Sequence, residues 1–143
     1  MVQQFEKTLI INASPNTVWN ALTDPHLLRQ WMGDPEMEIE VITDWRTGGP
    51  IVIKGFHHMA FENKGTVLQF MPNYLLKYDY LSSLSGLPDT PENRTTLEFM
   101  LTPVGEQTSL SLIISNFPTD SIFKHVNLYW RSTIEILKKF VER

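Results

Sequence analysis

At 143 residues and 16.6 kDa the chain fits one ordinary domain with a substantial core, and residues 1–143 are read as a single unit. It has no cysteine, which excludes disulfides, thiolate metal sites and cysteine nucleophiles and agrees with a reducing setting. The formal net charge is −4 with lysine and arginine scattered, so no basic field exists of the kind that phosphate backbones need, and nucleic acid is set aside as a partner. The opening MVQQFEKTLIINA lacks the basic-then-apolar pattern of a secretory leader, and nowhere do about eighteen apolar residues run together. The expectation is a cytoplasmic protein without membrane insertion.

Residues 5–11 show mixed alternation and suit an opening strand. The next stretch, ASPNTVWNALT, carries a helix start: Ser14 as N-cap, Pro15 at the first helical position, and Ala13 with Val18 as a hydrophobic staple. Val18, Trp19 and Leu22 define its buried side. Asp24-Pro25 repeats the cap-plus-proline device before HLLRQWM, which predicts a second short helix burying Leu27, Leu28 and Trp31. From Glu36 the period moves from 3.6 towards 2. Strands are predicted over 36–43, 51–58, 65–71, 74–82, 95–102 and 108–116, with a turn at residues 44–50 whose Gly48 and Gly49 permit positive φ. The connection SLSGLPDTPENR, residues 83–94, is longer than most hairpin loops and is either a lid or a mobile loop. The last stretch, residues 119–143, repeats Phe123, Val126, Trp130, Ile134, Leu137 and Val141 at three- and four-residue steps, one stripe of a long helix. Asp120 or Thr119 can cap it, and Lys138, Lys139 and Arg143 suit the negative end of its dipole.

Side chains alternate across a sheet, so the facing of the strands is readable. Leu97, Phe99 and Leu101 oppose Thr96, Glu98 and Thr102, and Leu110, Leu112 and Ile114 oppose Ser109, Ser111 and Ser115. Tyr74, Leu76, Tyr78 and Tyr80 form a similar set, with Lys77 and Asp79 on the other side. An antiparallel sheet with one dry face therefore needs the terminal helix to cover it, an α+β arrangement.

Taken as a set, INASPNTVWNALTDPHLLRQWM, the Gly48-Gly49 turn, GTVLQFMPNYLLKYDYL, TTLEFMLTPVGEQTSLSL and the tryptophan of the last helix resemble the START-like, polyketide-cyclase-like (SRPBCC) superfamily, and within it the homologues of the activator of heat-shock-protein ATPase. The resemblance spans nearly the whole chain. It implies a helix-grip fold, in which a curved seven-stranded antiparallel sheet wraps a long C-terminal helix and encloses a cavity, with two short helices after the first strand. Where the family often has proline before the paired glycines, this chain has Thr47. The acidic and histidine sites of some cyclases in the superfamily have no counterpart motif.

The four histidines, His26, His57, His58 and His125, show no HxxxH, HxH or HExxH spacing, and no metal site or cofactor is expected. Adjacent His57 and His58 on a strand point to opposite faces, so they cannot chelate together, although one could project into a cavity. Glu36, Glu38 and Glu40 alternate on one strand face, as charge on a wet sheet face does. No catalytic residue is assigned: Gly-x-Ser-x-Gly and P-loop patterns are absent. With the fold that the resemblance implies, the ligand cavity is expected among Trp31, Phe56, His58, Tyr78, Tyr80, Phe99, Leu112, Val126, Tyr129 and Trp130, where rings give contact area and phenols give directed polar contacts. The same rings could instead simply fill a core. The leading expectation is a cofactor-free binder of a hydrophobic small molecule, apolar or amphipathic and lipid- or polyketide-like. A co-chaperone acting on a chaperone partner, and a cyclase or hydrolase using the same cavity through His57 or His58, are the alternatives. Either a monomer or a homodimer is compatible with the sequence.

Overall fold

Two short helices begin where cap and proline coincide. Ser14 Oγ accepts the Thr17 amide at 3.3 Å at the start of α1 (Pro15–Thr23), and Asp24 Oδ1 accepts the His26 amide at 2.9 Å at the start of α2 (Pro25–Trp31). Each helix turns its apolar side inward, α1 burying Val18, Trp19, Ala21 and Leu22 and α2 burying Leu28 and Trp31. Leu27, expected to be buried with them, is only half-buried. The computed structural model describes residues 3–143; Met1 and Val2, the first positions of the expected unit, lie outside the described residues.

Seven strands follow the alternation: β1 (Gln4–Ile11), β2 (Glu40–Thr43), β3 (Pro50–His57), β4 (Met59–Met71), β5 (Leu75–Ser82), β6 (Thr95–Val104) and β7 (Gln107–Ser115). They form one antiparallel sheet in the order β1-β7-β6-β5-β4-β3-β2. The long helix α3 (Asp120–Glu142) lies on its dry face, capped by Thr119, whose Oγ1 accepts the Ile122 amide at 3.1 Å. Asp120 is therefore a first-turn residue and not the cap. Val126, Trp130, Ile134 and Leu137 are the buried part of the stripe, while Phe123 and Val141, near its two ends, are half-buried. The result is an α+β helix-grip fold with two short helices after the first strand.

Three strand expectations need correction. Residues 36–43 do not form one strand, because Pro35–Met37 closes a 3-10 turn and Glu38 sits at φ 48°, a left-handed position that breaks the pleat. Glu36, Glu38 and Glu40 therefore do not share one strand face. Strand β4 is longer than expected, starting at Met59 rather than Gly65; its first half is only partly covered and lacks a clean apolar alternation. Tyr74 lies before β5 and is exposed, so it leaves the dry row of Leu76, Tyr78 and Tyr80.

Gly65 is fixed by crowding and not by conformation. A Cβ there would stand 1.7 Å from the Asp79 carbonyl oxygen, so β4 and β5 can approach only with hydrogen at this position. The turn before β3 is held by Trp45, at φ 59°, whose Nε1 donates to the Thr23 carbonyl at 2.8 Å and whose ring stacks on Phe70 at 5.6 Å. Phe70 in turn meets Trp19 at 5.2 Å, which ties the turn to α1.

Candidate functional site

The alternation of β5 and β6 sets the floor of the site. In register, Leu76 pairs with Phe99, Tyr78 with Leu97, and Tyr80 with Thr95, so three aromatic rings and a threonine share the dry face. Helical spacing sets the roof, since Val126, Trp130 and Thr133 face down from α3 and are buried, with Tyr129 half-buried beside them. The rings then connect in a row. Tyr78 stacks on Phe99 at 6.4 Å, Phe99 meets the edge of Trp130 at 5.8 Å, and Trp130 meets Trp31 at 6.1 Å and Tyr129 at 5.3 Å. Trp31 is oriented by its own Nε1, which donates to the Ala21 carbonyl at 2.9 Å.

The phenols divide by their partners. The Tyr129 hydroxyl donates to the Met32 carbonyl, which closes α3 against the end of α2. Among the described residues the hydroxyls of Tyr78 and Tyr80 have no protein partner, although Tyr78 is only 5% exposed. No side-chain nitrogen or oxygen sealed from solvent is left unpartnered among these residues, so the Tyr78 hydroxyl meets space that a water molecule can reach. Burial raises all three phenols above the ordinary tyrosine value: Tyr80 is pushed up to about 12, and Tyr78 and Tyr129 are raised too. Desolvation is the first cause in each, and mutual repulsion of the would-be phenolates adds to it for Tyr78 and Tyr129. The site is thus a patch of neutral donors in an apolar frame.

Of the ten positions expected to line the cavity, eight belong to this interior: Trp31, Tyr78, Tyr80, Phe99, Leu112, Val126, Tyr129 and Trp130. Phe56 and His58 do not. Phe56 pairs with Ala60 on the wet face of β3 and is 53% exposed, and His58 makes the hairpin tip at φ 65°. The two imidazoles are not on opposite faces of a strand, because the hairpin turns between them and their rings lie 4.5 Å apart, both exposed. A recess of about 420 Å³ opens near Phe56, lined by Glu38, Glu40, Lys54, Ala60 and Glu62, and another of about 170 Å³ lies between Arg29 and Ile39; the aromatic row lines neither. Among the described residues no group of three or more His, Asp or Glu could hold a metal, and no helix is long and apolar enough to cross a membrane.

Sequence reasoning missed the clamp on the 83–94 connection. Arg94 forks onto Asp89, with Nε to Oδ1 at 2.8 Å and a terminal nitrogen to Oδ2 at 3.2 Å. It also reaches Asp79 at 3.4 Å and donates to the Thr66 hydroxyl at 3.0 Å. Asn116 adds bonds to the Glu92 and Arg94 carbonyls at 3.2 and 2.7 Å. The PDTPENR stretch held the signal, an acid and an arginine placed across a turn. The burial of Thr95 and Thr133 was not foreseen either, because a threonine inside an alternating or helical pattern does not announce that it is buried.

Comparison with known proteins gives a consistent picture. The family described as Activator of Hsp90 ATPase homolog 1-like protein matches residues 12–142. A solution structure from Cytophaga hutchinsonii is 34% identical, with 99% of this chain and 96% of that one covered and a TM-score of 0.80. A crystal structure from Chromobacterium violaceum is 22% identical over 98% of this chain and 97% of that one, with a TM-score of 0.84. The Aha1 dimer from Colwellia psychrerythraea is 23% identical over 98% and 96%, with a TM-score of 0.75. No curated protein matches the chain. The last two likenesses bear on fold alone. With the family match covering nearly every residue, the chain belongs to the Activator of Hsp90 ATPase homolog 1-like family of the SRPBCC superfamily.

Proposed function

We propose that this protein binds an apolar or amphipathic small molecule between β5, β6 and α3, against the row formed by Tyr78, Phe99, Trp130 and Trp31. The observation that carries the reading is the Tyr78 hydroxyl, which belongs to a 5% exposed residue, has no protein partner among the described residues and so is free to meet a ligand. The aromatic rings supply contact area, and the phenols supply direction. Leu112 and Val126 complete the apolar wall. A thermal-shift screen against sterols, fatty-acid derivatives and aromatic polyketides tests it: stabilisation by at least one class is expected, and no shift with any would contradict it.

A second reading comes from the family description, which names an activator of the Hsp90 ATPase. A role beside a heat-shock ATPase would use the outside of the molecule and leave the aromatic row untouched. A pull-down with purified chaperone tests it, and variants at Tyr78 should not change the result. The cyclase or hydrolase reading called for His57 or His58 inside the cavity. Both stand in solvent, so that reading lacks its titratable group.

A further inference from the structure

We propose that the interior site takes an uncharged ligand, an apolar body bearing carbonyl or ether oxygens, and discriminates against the carboxylate of the same body. The inference rests on the binding reading above and specifies its chemistry. It is carried by what faces inward. The registers assign each strand's dry positions, and from β2 to β7 these are aliphatic, thioether, aromatic, hydroxyl, amide or glycine positions, all uncharged, apart from His57 at the exposed hairpin tip. The buried residues of α1, α2 and α3 are likewise uncharged among the described residues.

One ammonium takes an inward position, that of Lys7 on β1, opposite Leu112. It is already spent on Glu135 at 2.9 Å, at the rim where both side chains are partly exposed. Between β1 and β5 lie three strand spacings, about 14 Å at about 4.8 Å each. Lys7 therefore cannot neutralise a group held at Tyr78. A carboxylate placed there would lose its hydration without gaining a cation, a cost that neutral donors do not offset.

Phenols suit the opposite task. Tyr78 and Tyr80 present O–H groups that keep their protons at physiological pH, and an O–H donated to a carbonyl or ether oxygen completes a bond that no described residue supplies. The Thr95 hydroxyl, opposite Tyr80 in the register, adds a third uncharged polar group beside them.

Matched ester and acid pairs test the selectivity on the full chain at neutral pH: methyl pyrenebutyrate against pyrenebutyrate, followed by fluorescence, and methyl palmitate against palmitate, followed by competition. The ester is expected to bind at least about tenfold more tightly than its acid. Tyr78→Phe should weaken the ester by about threefold to tenfold while leaving the circular dichroism spectrum and urea midpoint close to wild type. An acid that binds as well as its ester overturns this inference and leaves the interior binding site standing. If neither member of either pair binds, this inference falls, while the binding reading falls only if the sterol and polyketide arms of the thermal-shift screen are silent as well.

Discussion

The indoles of Trp31 at the end of α2 and Trp130 in the middle of α3 meet with ring centroids 6.1 Å apart and planes tilted by 59°, which fastens the two-helix cap to the long helix. Trp130 is 4% exposed and also touches Phe99, so its removal leaves a void among three rings. Trp130→Ala is expected to cost about 3–5 kcal/mol in urea denaturation, and Trp130→Phe less than half of that. An unchanged urea midpoint would mean that the ring is not part of the core.

Gly65→Ala should be among the most damaging small substitutions in the chain. The added methyl would stand 1.7 Å from the Asp79 carbonyl oxygen, a backbone atom that cannot swing aside. A loss of about 3 kcal/mol or more is expected. At Gly86, where φ is 73° and nothing lies within 4 Å, alanine should cost only about 1 kcal/mol. Equal costs at the two positions would refute the close approach of β4 to β5.

The Arg94 clamp predicts an acid dependence. The Arg94 fork is the first cause holding the Asp89 carboxyl below its ordinary value of 3.8. A lowered folded value stabilises the fold above the ordinary value, and that contribution disappears as pH falls through the folded value. The 83–94 connection should therefore loosen below about pH 4, read as lower amide protection factors there, with Asp89→Asn abolishing the dependence. Arg94→Met should cost about 2 kcal/mol and raise exchange across the same residues at neutral pH.

Alkaline titration probes the interior directly. For Tyr80 the folded value of about 12 lies above the ordinary 10.0, so between those two limits the unfolded chain releases a proton that the folded one keeps. Stability should fall as pH rises through this window, and Tyr80→Phe should flatten part of the fall. The ultraviolet absorbance of phenolate measures it. Ionisation of the Tyr78, Tyr80 and Tyr129 phenols at the ordinary value, without unfolding, would show that they are not desolvated.

Local rules make much of this fold legible in the sequence. Ser14-Pro15 and Asp24-Pro25 start two helices because cap and proline satisfy or remove the same orphan amides. Leu97, Phe99 and Leu101 announce a dry face by period alone. The curvature that brings α3 onto that face came from family resemblance, since period does not encode it. Long-range geometry stayed hidden: Phe56 shares the face of Val52 and Lys54, and its own apolar side chain does not reveal that this face of β3 is left wet. The hairpin at His57 and His58 carries no turn signal in the sequence, because its left-handed residue is a histidine and not a glycine. Nor could spacing reveal that Arg94 clamps across to Asp79 and Thr66.

The central claim is that ligand meets the row between sheet and helix, and the indole N–H resonances of the protein test it most directly. On titration with an uncharged amphipathic ester, the signals of Trp31 and Trp130 should move together, and that of Trp45, which stacks on Phe70 outside the row, should stay in place. Movement confined to Trp45, or no movement at a ligand concentration that shifts the melting temperature, would contradict the account.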